Sequence, residues 1–369
     1  MRSAHDILTR FVVGKALMRA SALALWLVGG QLTLSACEPN LDLPPVRAEA
    51  GGCRVLTTES AALSSAYPAE LCAFQERLQA ALSLVPEDLP LDYALFATSG
   101  PSRAKCASVG ARAEASACAT GGVAMTSLSF HLHEVVHSTL LNRGLEGPSA
   151  LQEGAANVFG CVGGSDTPVA PTLPLELLAD STAFYAWDGG YAPAASFVSF
   201  LLERGEAKFT ALLAATNHGT SLAELDRRVR AIYGSPLSEL HAAWQAAGPQ
   251  PYYEVCRPVY LCGSPFLDAS PSVTLVRGVA GSLAQGGVAR TFVVEAEGVL
   301  HVRAATPAPE LMVLSCDRDA SVFEFSRPDA RVIDERAPIH PGRYAIWLRG
   351  TILEGDQSEA SAELSVVLE

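Results

Sequence analysis

A proline-rich segment, residues 251–272, separates two kinds of hydrophobic periodicity, and no single class of secondary structure accommodates both. Before it, apolar residues recur at the roughly 3.6-residue period of helices that bury one face. "PAELCAFQERLQAALSLV", "PAASFVSFLLERG", "EAKFTALLAAT", "SLAELDRRVRAIYG" and "SPLSELHAAWQAAG" read this way, with Ser221 and Glu224 spaced as a capping box and Pro236 at a first helical position. After it, "RTFVVEAEG", "VLHVRAAT", "LMVLSC", "GRYAIWLRG" and "AELSVVLE" alternate with a period of two between turn residues. The expected fold is α+β. Residues 51–250 should form a small mixed sheet plus a helical bundle, and residues 273–369 an all-β sandwich.

The 369 residues suffice for two domains, and an apolar fraction of 49% against 18% charged residues supplies real cores. The balance is acidic, with 26 Lys and Arg against 39 Asp and Glu, and no basic run exceeds "DRRVR". Nucleic acid is therefore excluded as a natural partner.

Residues 1–36 open with basic residues, continue through an apolar run from Ala20 to Leu34, and end in small residues. The run is shorter than the roughly 20 apolar residues of a membrane span, so a cleaved signal peptide is expected. Leu34-Ser35-Ala36-Cys37 directly after it resembles the lipobox of bacterial lipoproteins. The resemblance implies lipidation at Cys37 and membrane attachment through that lipid. With Glu38 following the cysteine, it implies an exported protein on the outer membrane of a Gram-negative cell. Residues 37–50 read as a tether. Eight further cysteines, an even number, suggest disulfides in an oxidising compartment, and Cys106 with Cys118 and Cys256 with Cys262 are the close pairs. No C-x-x-C spacing supports thiolate zinc or thioredoxin-like chemistry.

The stretch "HLHEVVHSTLLNRGLEGPSALQEGAA", residues 131–156, carries the chemistry. A helix is expected from an N-cap at Thr126 or Ser127 to about Asn142, stopped by Gly144, with Leu128, Leu132, Val135, Val136 and Leu140 on its core face. His133 and His137, four apart, lie about 40° from each other around such a helix, so both imidazoles leave one face on adjacent turns. That pair can supply two ligands to one metal ion, with Glu134 at the edge of the same face. A second helix begins near Ser149 and carries Glu153 as a third ligand.

His133, Glu134, His137 and Glu153-Gly154-Ala155-Ala156 together resemble the gluzincin branch of zinc metallopeptidases, over roughly residues 120–250. The resemblance implies a zincin-like fold, Zn2+ held by His133, His137 and Glu153, and a zinc-bound water activated by Glu134 to hydrolyse a peptide bond. It also implies that Tyr191 donates to the developing oxyanion. Asn157, one turn past Glu153, is placed to orient a ligand. Only fifteen residues separate His137 from Glu153 and no G-A-M-E-N motif precedes them, so no aminopeptidase specificity is implied. Gly121 to Met125 is expected to be the sheet edge along which an extended peptide substrate adds. "HPGRYAIWLRG" resembles the penultimate strand of carboxy-terminal accessory domains of bacterial secreted peptidases. His131, about 200° from His133 around the helix, reads as a packing or solvent histidine, and His218 in "TNHGT" as an exposed loop residue. The competing reading from another class is a non-catalytic surface lipoprotein with a structural metal site and a sandwich that binds a partner or glycan.

Overall fold

The computed structural model describes residues 41–58, 66–112, 114–127, 131–160 and 168–249, together with strands between 272 and 367. The signal segment with Cys37, the linker as far as residue 271, Leu128, Cys161, and the pair Cys256 and Cys262 lie outside the described residues. The architecture is mixed α+β with small sheets.

The first sheet begins earlier than the composition suggested. Strand β1 (Val46–Ala50) falls within the stretch read as a tether and pairs antiparallel with β2 (Cys53–Leu56). Gly51 and Gly52 between them both have positive φ, 58° and 84°, as a tight two-residue hairpin turn requires. Strand β2 runs parallel to β3 (Leu91–Leu95), and β3 parallel to β5 (Val123–Thr126). Parallel neighbours need crossovers, which helices α1 (Ala66–Ala81) and α2 (Ser99–Ser108) supply. Strand β4 (Cys118–Thr120) returns antiparallel on β5, giving the order β1-β2-β3-β5-β4. The edge strands are thus β1 and β4. The stretch Gly121 to Met125, expected as the edge, contributes instead to β5, an interior strand paired on both sides.

Helix α3 (Leu132–Asn142) starts later than expected, because Thr126 and the residues before it are committed to the sheet. The Thr126 carbonyl accepts from Phe96 N–H, and the Tyr93 hydroxyl of β3 accepts from His131 N–H at 2.7 Å, so the chain turns into the helix at His131. Leu132, Val135, Val136 and Leu140 are buried as the periodicity required. Gly144, at φ 65°, follows the helix end, and Leu145 N–H bonds back to the Leu140 carbonyl.

Helix α4 (Ser149–Gly160) is buried along its whole length. Two glycines allow that. A Cβ on Gly154 would stand 2.6 Å from the Ala194 carbonyl oxygen, and one on Gly160 would stand 2.7 Å from the His133 backbone nitrogen. The backbones therefore meet where a side chain has no room.

A single 3₁₀ turn (Leu175–Leu178) and the short helix α5 (Ser181–Ala186, capped by Asp180) come next. Neither was legible as a periodic element. The bundle closes with α6 (Ala192–Leu202), α7 (Glu206–Ala214), α8 (Leu222–Tyr233) and α9 (Leu237–Ala247). Ser221 caps α8 by accepting from Glu224 N–H, but the Glu224 carboxylate is taken by Arg227 and Arg228, so only half of the capping box forms. Pro236 stands one residue before α9 rather than inside it.

From residue 272 on, every described element is a strand. β7 (Ala284–Val294), β9 (Pro309–Ser315), β10 (Phe323–Ser326) and β12 (Gly342–Ile352) form one four-stranded sheet. β6 (Ser272–Thr274), β8 (Gly298–Ala305), β11 (Val332–Ile339) and β13 (Ser361–Val367) form another. Every pairing in both is antiparallel. Two disulfides join described residues: Cys106–Cys118, as their spacing suggested, and Cys53–Cys72, which ties α1 to β2. Among the described residues no helix is long and apolar enough to cross a membrane.

Candidate metal centre

Helices α3 and α4 bring three donor atoms to one point. His133 Nε2 lies 3.1 Å from His137 Nε2 and 3.1 Å from Glu153 Oε2, and His137 Nε2 lies 3.3 Å from the same carboxylate oxygen. The group can hold a metal ion. Ligand bonds of about 2.0–2.1 Å around a tetrahedral ion place neighbouring ligand atoms roughly 3.3–3.4 Å apart. The three separations fit one face of such a tetrahedron, slightly contracted.

The protonation pattern supports the fit. Asn157 Oδ1 lies 2.9 Å from His133 Nδ1 and, as a carbonyl oxygen, can only accept, so Nδ1 carries a proton. In the neutral ring, His133 Nε2 then turns its lone pair toward a second imidazole nitrogen and a carboxylate oxygen. Only a cation or a proton reconciles three lone pairs at that distance. Burial opposes charge on His137, but Glu153 beside it lifts the imidazole to about 9. Burial works to raise Glu153 as well, yet His137 and the hydrogen bond with His133 hold its carboxyl well below the usual range.

Glu134 is buried next to the cluster without joining it, its Oε1 3.9 Å from His131 Nδ1. Burial pushes its carboxyl upward, with His133 and His137 pulling against that shift. Its affinity for a proton is thus raised at a site where a proton acceptor is useful.

The other oxygen of Glu153 is held by a residue that the sequence did not single out. The Tyr185 hydroxyl of α5 donates to Glu153 Oε1 at 2.8 Å. Burial and the neighbouring carboxylate push this phenol well above its ordinary value, so it remains a donor. Hydrogen bonds that orient ligand side chains commonly change metal affinity about 10–100-fold when lost. A Tyr185→Phe protein is expected to bind zinc weaker by that factor, measurable by competition with a chromophoric chelator.

The centre faces a cleft of about 580 Å³. Its walls include residues 110–112 and 114–119, which lead into edge strand β4, together with Tyr185, Tyr191 and His218. Tyr191 immediately precedes α6 and is 36% exposed, its ring stacked against His133 at 6.2 Å between centroids. Burial, then Glu153, raises its hydroxyl to about 12. His218, expected in an exposed loop, is exposed and also lines the cleft, with Nδ1 3.3 Å from Ser149 Oγ.

His131 requires a correction. It precedes the helix instead of lying on its far side, so its ring stacks on His133 at 5.7 Å and lines the cleft. Burial, with His133 and His137 nearby, lowers it to about 3 and keeps it neutral.

No family model matches the chain, and no curated protein matches it. Among solved structures, the chain is similar to the 1.0 Å crystal structure of the pre-peptidase C-terminal domain of a collagenase from Bacillus anthracis. The identity is 14%, over 28% of this chain and 94% of that one, with a TM-score of 0.20. A likeness that loose carries no argument about fold or activity.

Proposed function

We propose that the protein is a zinc metallopeptidase of gluzincin type, exported and lipid-anchored through Cys37. The carrying observation is the convergence of His133, His137 and Glu153 on the floor of an open cleft, with Glu134 buried beside them and outside the donor set. A structural zinc site is closed by four protein ligands, whereas a catalytic one keeps a position free. Three donors facing a cleft correspond to the second kind.

Zinc bound there would supply Lewis acidity toward a carbonyl and bring the pKa of water toward neutrality. The chain's own residues do the rest. Glu134 accepts the proton of the attacking water and returns it to the leaving amine, a task suited to a carboxylate whose proton affinity burial has raised. Tyr191 keeps its proton and donates to the oxygen on which negative charge develops. Asn157 fixes the ring of His133 through Nδ1, and Tyr185 fixes Glu153 through Oε1. An extended peptide would add alongside β4, the edge strand whose Cys118 and Ala119 line the cleft, rather than along Val123–Thr126. The two disulfides suit an exported protein.

The test is turnover of a mixed peptide library by the purified protein. Cleavage is expected, abolished by a chelator and restored by zinc. A zinc-loaded protein that leaves broad libraries uncut would mean a non-catalytic metal site and end the peptidase reading.

A further inference from the structure

We propose that Arg112 is a positioning residue for the metal centre, acting on Glu153 through Tyr185. The inference rests on the reading that His133, His137 and Glu153 hold an ion, but not on any hydrolysis. Arg112 belongs to the segment between α2 and β4 that walls the cleft. Its Nη1 donates to the Tyr185 carbonyl oxygen at 3.0 Å, and its guanidinium carbon lies 5.2 Å from the centre of the Tyr185 ring. Tyr185 in turn donates to Glu153 Oε1. One cation thus holds both the backbone and the ring of the residue that orients a ligand.

The arrangement answers a weakness in the fold. Helix α5 has six residues, too few to be stable alone, and the Tyr185 carbonyl lies in its last turn, where helix carbonyls lack partners within the helix. A guanidinium there satisfies the carbonyl and complements the negative end of the helix dipole. Two contacts join residues on either side of Arg112. The Cys106–Cys118 disulfide closes its segment, and Ser102 Oγ donates to the Ser116 carbonyl at 2.7 Å. Glu114 forms an ion pair with Arg112 from within the segment.

The experiment measures zinc affinity by chelator competition in the full chain, for wild type, Arg112→Ala, Arg112→Lys, Glu114→Gln, Tyr185→Phe and the double variant Arg112→Ala/Tyr185→Phe. Arg112→Ala is expected to weaken binding roughly 3–10-fold, less than the 10–100-fold range for a direct partner of a ligand. Arg112→Lys should recover part of the loss, since an ammonium retains a donor and a cation over the ring. Glu114→Gln should stay within about twofold of wild type, because exposed ion pairs contribute little.

The decisive measurement is the double variant. With the Tyr185 hydroxyl gone, removing Arg112 should cost nothing further, because its route to Glu153 is already cut. A loss from Arg112→Ala that persists undiminished in the Tyr185→Phe background would overturn the proposal, as would a Glu114→Gln loss equal to that of Arg112→Ala. Wild-type affinity in Arg112→Ala would refute this inference and leave the metal site standing. Failure of the wild-type protein to bind zinc would sink both.

Discussion

A Glu134→Gln protein is expected to keep its zinc and to lose peptide hydrolysis by about 10²–10⁴-fold, the usual contribution of a positioned acid-base group. The amide has nearly the shape of the carboxylate and replaces a residue that contributes no atom to the three-donor cluster, so occupancy should not change. What disappears is the ability to take up a proton. Zinc content by elemental analysis and kcat on a cleaved peptide check the two halves separately. Full activity in a zinc-loaded Glu134→Gln protein would remove Glu134 from the chemistry. Loss of zinc along with activity would show that Glu134 supports the centre instead.

Replacing a ligand should act in the opposite order. His137→Ala leaves His133 and Glu153, two donors where a catalytic zinc site uses three, and zinc should fall from about one per chain to nearly none. A ligand that binds only the folded state stabilises it by about 2.7 kcal/mol at a hundredfold excess over its Kd. Zinc should therefore raise the melting temperature of the wild-type protein, and a chelator should reverse the rise. His137→Ala should melt at the same temperature with or without zinc. A zinc-dependent melting shift that survives in this variant would place the ion elsewhere.

The part of this centre that was legible in the sequence is the part fixed by local geometry. Two histidines four apart share a helix face whatever surrounds them, and α3 needs only its own periodicity and Gly144 to be read. Glu153 and Asn157, one turn apart, follow from a second helix after a short connection. Tyr185 was not legible, because it reaches Glu153 from a six-residue helix placed by tertiary contacts, 32 positions along the chain. Arg112 belongs to an irregular segment with no periodicity to read.

The errors have the same origin. "VRAEA" is too short and polar to announce β1, which exists because the Gly51-Gly52 turn folds it onto β2. Three-residue β4 carried no alternation, so the edge was assigned to the more apolar stretch Gly121 to Met125 beside it. The late start of α3 depended on Tyr93, a hydroxyl from a distant strand that no local pattern could reveal.

The contact at Gly160 has a consequence for how an ion would meet this protein. Because the main chain of the helix that carries Glu153 meets the backbone of His133 there, an alanine at 160 would have to push the two ligand-bearing segments apart before any ion arrived. An absent side chain, well away in sequence from the acid it helps to place, is thus part of what lets the donors converge.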